Sequence, residues 1–119
     1  MKTNSSARSK QYLEAKGYVW AKTETWNQFT KQRKDLFNIF DGLAVDPEGN
    51  WIGVQACGSD VKEHVRKIQE NPLFQRVSKK MPVYILSWRK LKKVRGKKAT
   101  YWDCKVFNLF GDSCIESEL

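Results

Sequence analysis

A carboxylate and an amide stand at matched positions on either side of a turn near the middle of the chain. If segment 39–45 is a strand, its side chains alternate between two faces, and Asp41 shares a face with apolar residues. A buried acid in such a position needs a partner. Gln55 lies on the next apolar segment, and positions 41 and 55 are equidistant from residue 48, the middle of the turn formers 46–50. Cross-strand neighbours lie about 5 Å apart at Cβ, and carboxylate and amide oxygens are ligands of hard divalent cations. The spacing therefore predicts a Mg²⁺ or Mn²⁺ site anchored by Asp41.

Several short motifs around this pair resemble those of a nuclease superfamily. They are DLFNIFD at 35–41, QAC at 55–57 within IGVQAC, GSDVKEHVRKIQ at 58–69 and SWRK at 87–90. From about residue 13 to residue 107 the chain resembles the PD-(D/E)xK nucleases, and among them the small, often phage-borne, Holliday-junction-resolvase-like proteins. The resemblance implies a helix, a three-stranded meander, a second helix and a further strand. It also implies a metal-dependent DNA endonuclease that hydrolyses phosphodiester bonds of branched DNA as a homodimer.

The second motif departs from the pattern of that superfamily. The pattern has a carboxylate and a lysine where this chain has Gln55 and Cys57. Glu24, on the preceding strand, is the candidate for the missing charge, and Lys62 or Lys67, on the following helix, for the missing cation. The expected catalytic set is Asp41, Gln55, Glu24, Lys67 and Lys62. The first three would hold the metal, which activates water for in-line attack on a phosphodiester.

A non-catalytic function fits the same residues. Asp41 is then a structural acid bonded to the backbone or to Arg33, and Gln55 only pairs its amide with that carboxylate. Lys62 and Lys67 form the solvated face of an amphipathic helix. The alternative function is a nucleic-acid-binding module that keeps a degenerate nuclease fold.

Charge points to a polyanion as the partner. The 119 residues include 22 Lys and Arg against 13 Asp and Glu, a formal net charge of +9. Residues 1–107 hold all 22 basic residues and 10 of the acidic ones, which gives +12. The segment RKLKKVRGKK, residues 89–98, has seven basic residues in ten, and like charges at this density repel unless a polyanion or solvent screens them.

This basic segment and three other cations are the expected nucleic-acid contacts. They are Arg33, Lys34, Arg66, Arg89, Lys90, Lys92, Lys93, Arg95, Lys97 and Lys98. Neutralising about six phosphates of duplex DNA predicts a log–log salt slope near −5. No base-reading motif separates DNA from RNA, so a ribonuclease or an RNA-binding domain stays open as a third function.

The local patterns predict the elements that position these residues. The helices are 7–16, closed by Gly17, a helix from Asp60 with Glu63 as capping-box partner, and a short piece after residues 71–72. The strands are 18–26, 36–45, 51–57, 83–88 and 100–107, with a basic loop at 27–34. The expected fold is a single α/β restriction-endonuclease-like domain over residues 1–107, a central mixed sheet of four to five strands flanked by helices. Residues 108–119 are expected to form an acidic tail.

Cysteine usage and hydropathy indicate the compartment. The three cysteines lack paired ligand spacing and the chain has one histidine, His64, so free or structural thiols are expected rather than zinc ligands. His64 is expected on the surface of its helix. No apolar run approaches the roughly 18 residues of a membrane span, and the first ten residues lack the apolar core of a signal peptide. These features predict an intracellular, cytoplasmic protein with no membrane partner.

Overall fold

The computed structural model describes residues 5–23, 25–30, 32–34, 39–96, 98–110 and 113–119. The helices in these ranges are α1 (Ser5–Ala15), α2 (Val61–Glu70) and α3 (Phe74–Ser78). The strands are β1 (Val19–Lys22), β2 (Thr25–Asn27), β3 (Gln32–Lys34), β4 (Gly42–Val45), β5 (Trp51–Cys57), β6 (Val83–Lys92), β7 (Thr100–Phe110) and β8 (Ser113–Ser117). None of the helices in the described part of the chain combines the length and the hydropathy needed to cross a bilayer.

Six of these strands form one mixed sheet in the order β1-β4-β5-β6-β7-β8. Neighbouring strands are antiparallel except β5 and β6, which are parallel. A parallel pair needs a crossover connection, and α2 and α3 lie within it. β2 and β3 form a separate two-stranded antiparallel sheet.

The large sheet buries apolar side chains on both faces, because successive side chains of a strand point to opposite sides. One cluster, which includes Leu13 of α1, consists of Leu13, Ala44, Ile52, Val54, Leu86 and Val106. The other, which includes Ile68 of α2 and Phe74 of α3, consists of Ile39, Phe40, Cys57, Ile68, Phe74, Val83, Ile85 and Leu109. The odd-numbered residues of β5, including Gln55 and Cys57, face the second cluster.

Two glycines let aromatic rings lie directly on the sheet. A Cβ added at Gly42 would come within 2.4 Å of the Trp20 ring, and one added at Gly53 within 2.2 Å of the Phe40 ring. Phe40 is fully buried. Its ring therefore covers β5 beside the position where Asp41 meets that strand.

The expected fold class, an α/β restriction-endonuclease-like domain with four to five strands, is wrong. The described residues form a six-stranded mixed sheet with three short helices and are mostly strand. One added strand comes from segment 108–119, expected as a tail: β7 runs to Phe110, and β8 pairs with it. β8 is an exposed edge strand that carries Glu116. A charged residue on an edge strand discourages pairing with a further strand. Because of this requirement, the composition of β8 is like that of a solvated tail.

Other element boundaries differ in smaller ways. The predicted strand 18–26 is divided between β1 and β2, and the predicted loop 27–34 contributes β3, which pairs with β2. The hairpin turn, α2 and the short helix α3 are confirmed. β6 extends to Lys92, so the first four residues of the basic segment belong to a strand.

Candidate functional site

Asp41 and Gln55 lie side by side at the end of the β4–β5 hairpin. The ladder pairs Gly42 with Val54, and one step further Gln55 Nε2 donates to Asp41 Oδ2 at 3.2 Å. Both side chains are buried, with 6% and 7% of their surface exposed. The contact that the turn spacing predicts is therefore confirmed.

The Asp41 carboxylate also completes the hydrogen bonding of β5. The Asp41 N–H donates to Val54 O at 2.9 Å, and Oδ2 of the same residue accepts from the Ala56 N–H at 2.8 Å. A side-chain oxygen thus takes the place of a main-chain acceptor where the regular ladder ends. A buried acid that accepts from a backbone amide and a side-chain amide has the geometry of a structural group.

Of the three metal ligands expected from the sequence, two are in contact and the third is not described by the structure. Asp41 and Gln55 meet, but Gln55 presents its donor nitrogen, so its amide must turn over before Oε1 can join the carboxylate at a cation. A cation here would also compete with the Ala56 N–H for Asp41 Oδ2. Glu24 lies outside the described residues, as do residues 35–38 of the first motif.

The expected catalytic cations lie on the solvent side of α2. Lys62 and Lys67 are exposed, which is the arrangement of a solvated helix face. Cys57, at the lysine position of the second motif, is buried. Burial, together with the negative charges of Asp60 and Asp41, raises the pKa of the Cys57 thiol to about 12. A neutral thiol cannot supply the positive charge that a lysine would direct at a phosphoryl oxygen.

Cys57, Asp60 and His64 form a group that can hold a metal ion. Their ligand atoms all lie within 4.8 Å of one another, and His64 Nε2 is 3.1 Å from Asp60 Oδ2. Cys57 ends β5, Asp60 is the N-cap residue of α2, and His64 lies one turn further along the helix. The side chains of His64 and Asp60 are 24% and 59% exposed, so solvent reaches the group.

Sequence reasoning missed this group because it counted only paired cysteines and histidines as metal ligands. The spacing Cys57-x₂-Asp60-x₃-His64 was the available signal, with a carboxylate between the two softer ligands. The predicted capping box is also wrong, because the Asp60 side chain makes no capping hydrogen bond. Its carboxylate contacts His64 instead.

The basic segment lies at the far end of a long hairpin. β6 and β7 pair from Val83 opposite Leu109 to Lys92 opposite Thr100. We name residues 89–103 the basic hairpin. Its exposed cations in the described part of the chain are Arg89, Lys90, Lys92, Lys93, Arg95 and Lys98. Lys97 lies outside the described residues.

One face of the basic hairpin combines an aromatic ring with cations. Lys90 is paired with Trp102 across the strands, on the face that also carries Trp88. Arg8 of α1 holds its guanidinium carbon 3.6 Å from the centre of the Trp102 ring, and Lys90 Nζ lies 6.0 Å from that ring. Trp102 remains 43% exposed. An exposed indole beside two cations can stack on a base while the cations neutralise phosphates.

Contacts of α1 with β6 fix the position of Arg8. Trp88 Nε1 donates to Ser9 Oγ at 2.9 Å, and the Tyr12 ring packs edge-on against Trp88 with centroids 5.8 Å apart. Arg8 Nε is buried and has no hydrogen-bond partner in the described ranges, as expected of a guanidinium held by stacking. Sequence reasoning missed Arg8 and Trp102. Period two along β7 could have placed Trp102 on this face, but no local pattern joins it to Arg8.

Two of the expected nucleic-acid contacts have acidic neighbours. Arg66 NH1 lies 3.3 Å from a Glu70 oxygen, and Arg89 Nε lies 3.5 Å from Asp103 Oδ2 across the hairpin. Exposed ion pairs of this kind contribute little free energy, so a phosphate can replace the carboxylate. The side chains of residues 33–34, on β3, lie outside the described part of the structure.

Comparisons with protein-family models, with curated proteins and with solved structures give no match for this chain. Within the described residues, three groups of side chains bear on function. They are the Asp41–Gln55 pair, the Cys57–Asp60–His64 group and the basic hairpin.

Proposed function

We propose that this protein binds nucleic acid, with DNA as the first ligand class, through the basic hairpin and the adjoining end of α1. The observation that supports the proposal is Trp102, exposed beside both Arg8 and Lys90. A ring held in this way offers an apolar face to a base while its cations meet the backbone on either side.

The distribution of charge supports the same surface. Six exposed cations lie in the described part of the basic hairpin, and the one acidic residue in its sequence is Asp103, paired with Arg89. Such a density of positive charge attracts a polyanion and repels other cationic surfaces.

The exposed aromatic side chains favour DNA with unpaired or distorted bases. Tyr101 is 42% exposed and is paired with Leu91, on the face opposite to Trp102. Rings on both faces of a cationic hairpin can stack on bases that have left a duplex. Single strands and branched DNA both expose such bases.

A second candidate function is a Mg²⁺- or Mn²⁺-dependent DNA endonuclease, and the meeting of Asp41 and Gln55 favours it. A metal bound to Asp41 Oδ2 would displace the amide donors from that oxygen, and the site would need a further ligand, for which Glu24 is the candidate. The binding function needs none of these rearrangements and is therefore the better supported.

Fluorescence anisotropy tests the binding function. Labelled four-way junction, single-stranded and duplex DNA, with RNA versions of each, are titrated with the purified chain. Trp102→Ala is expected to weaken binding to single strands about 5- to 150-fold, from the roughly 1–3 kcal/mol that one stacked base contributes. Phe110→Ala is the matched control, because Phe110 is an exposed ring at the opposite end of β7. Equal losses in both variants, or no binding to any nucleic acid, would refute the proposal.

The same substrates separate the two candidates when they are incubated with Mg²⁺, with Mn²⁺ and with a chelator. Cleavage that requires metal and is abolished by Asp41→Asn would select the endonuclease. Retained, salt-sensitive binding without cleavage of any substrate would select the binding module.

A further inference from the structure

The Cys57–Asp60–His64 group offers three different ligand atoms to one point. The donors are a thiol sulfur, a carboxylate oxygen and an imidazole nitrogen. Mg²⁺ and Mn²⁺ prefer oxygen ligands, whereas sulfur and imidazole nitrogen are characteristic of Zn²⁺. On binding, the ion would displace the Cys57 proton to solvent, and the resulting thiolate and the carboxylate would together neutralise the charge of a divalent ion. The donor set therefore selects zinc rather than the metals of the endonuclease candidate.

The distances fit a tetrahedral ion with little rearrangement. Zn²⁺ with bonds of about 2.0–2.3 Å to its ligands has ligand–ligand separations of about 3.3–3.6 Å. Asp60 Oδ2 and His64 Nε2 are already 3.1 Å apart. Cys57 Sγ lies within 4.8 Å of a carboxylate oxygen of Asp60 and of a ring nitrogen of His64, so a rotation or shift of about 1 Å completes the triangle.

The local structure turns the Asp60 side chain toward this point. An Asp at the N-cap of a helix normally accepts a hydrogen bond from an amide of the first turn, but the Asp60 carboxylate makes no such bond. It is directed at His64, one turn along the helix. Cys57 is held at the end of a central strand between β4 and β6, so two ligands come from the start of the helix and one from the sheet.

We propose that Cys57, Asp60 and His64 bind one Zn²⁺, which ties the end of β5 to the first turns of α2. Three protein ligands leave a fourth tetrahedral position for water. The site lies beside the Asp41–Gln55 pair in the chain order but shares no ligand with it. It does not rest on the nucleic-acid surface, which is at the far end of β6 and on β7.

Cobalt spectroscopy tests the proposal. The purified chain is treated with chelator and titrated with Co²⁺, which in tetrahedral thiolate sites gives intense visible bands and a sulfur-to-metal charge-transfer band. The expected result is one Co²⁺ per chain with the charge-transfer band, displaced by stoichiometric Zn²⁺ and unaffected by excess Mg²⁺. Absence of the band, or of stoichiometric Zn²⁺ binding, would overturn the proposal.

Variants locate the ligands. Cys57→Ser is expected to remove the charge-transfer band, and His64→Gln to weaken Zn²⁺ binding by at least about 100-fold, more than loss of an outer-shell partner causes. Cys114→Ser, which removes an exposed thiol that is not one of the three ligands, is the matched control and should keep the band. His64 is partly exposed, so its substitution tests the site even if Cys57→Ser fails to fold, as judged by circular dichroism. A band that survives Cys57→Ser, or is lost in Cys114→Ser, would place the metal elsewhere.

Discussion

Removal of two charges from the basic hairpin should change the salt dependence of DNA binding more than removal of two charges elsewhere. Lys92 and Lys93 are exposed where β6 ends. Lys79 and Lys80 are equally exposed and come just before β6 begins. Nine residues of β6 lie between the two pairs, a span of about 30 Å at about 3.3 Å per residue. The double variants Lys92→Gln/Lys93→Gln and Lys79→Gln/Lys80→Gln each lower the net charge from +9 to +7.

The magnitude follows from the count of exposed cations. Six hairpin cations that each neutralise one phosphate give a log–log slope of about −5.4 on duplex DNA, at about 0.9 per phosphate. The slope predicts that binding weakens about 2,000-fold over a fourfold rise in salt. With four cations the slope falls to about −3.6, and the loss over the same range is only about 150-fold.

The assay is fluorescence anisotropy of a labelled duplex over a salt series, with all three proteins at one pH. The Lys79→Gln/Lys80→Gln variant should keep the wild-type slope, although its net charge equals that of the hairpin variant. Equal slopes for the two variants would show that total charge, and not the hairpin, governs binding. A log–log salt slope near zero for the wild-type protein would refute the proposed nucleic-acid-binding function.

Three further outcomes test the interior of the fold. Asp41→Ala leaves buried amide donors on β5 without an acceptor and should lower the free energy of unfolding, measured by urea denaturation, by about 3 kcal/mol. Asp41→Asn keeps an acceptor oxygen and should lower that free energy by less. Equal losses in the two variants would contradict the hydrogen-bonding role of Asp41. Gly53→Ala drives a methyl group into the Phe40 ring and should cost about 1–3 kcal/mol in the same assay; an unchanged midpoint would contradict the close approach. Burial raises the pKa of Cys104 to about 12, so at pH 8 about one thiol in 10⁴ is ionised. Alkylation followed by mass spectrometry should therefore modify exposed Cys114 first, and Cys104 should react faster as the pH rises; the reverse order would contradict the burial of Cys104.

The hairpin around residue 48 shows what a local pattern can predict. Asp46 accepts from the Glu48 and Asn50 amides at 2.9 and 2.8 Å, a turn that depends on residues four positions apart. Once such a turn is placed, the pairing of each residue on one strand follows by counting, which is why Asp41 and Gln55 could be matched. The same counting could not show which atom of the Gln55 amide faces the carboxylate.

The edge strand β8 shows where a local pattern fails. Most of its residues are exposed on both sides of the strand. The segment therefore needs no alternation of apolar and polar side chains, which is the sequence pattern of a half-buried strand. What makes residues 113–117 a strand is the unpaired edge of β7, to which they bond. The amino-acid composition of residues 113–117 does not indicate that the edge of β7 is available for pairing.

Charge, the hairpin register and the apolar patterns of β5 and α2 are determined by residues close together in the chain, and the sequence by itself established them. The stacking of Arg8 on Trp102 joins the first helix to a late strand. The Cys57–Asp60–His64 group brings the end of β5 against the first turns of α2. Both contacts result from the packing of whole elements around two apolar clusters, and that packing minimises exposed apolar area over the entire domain rather than within any segment. Only the tertiary structure could therefore decide them.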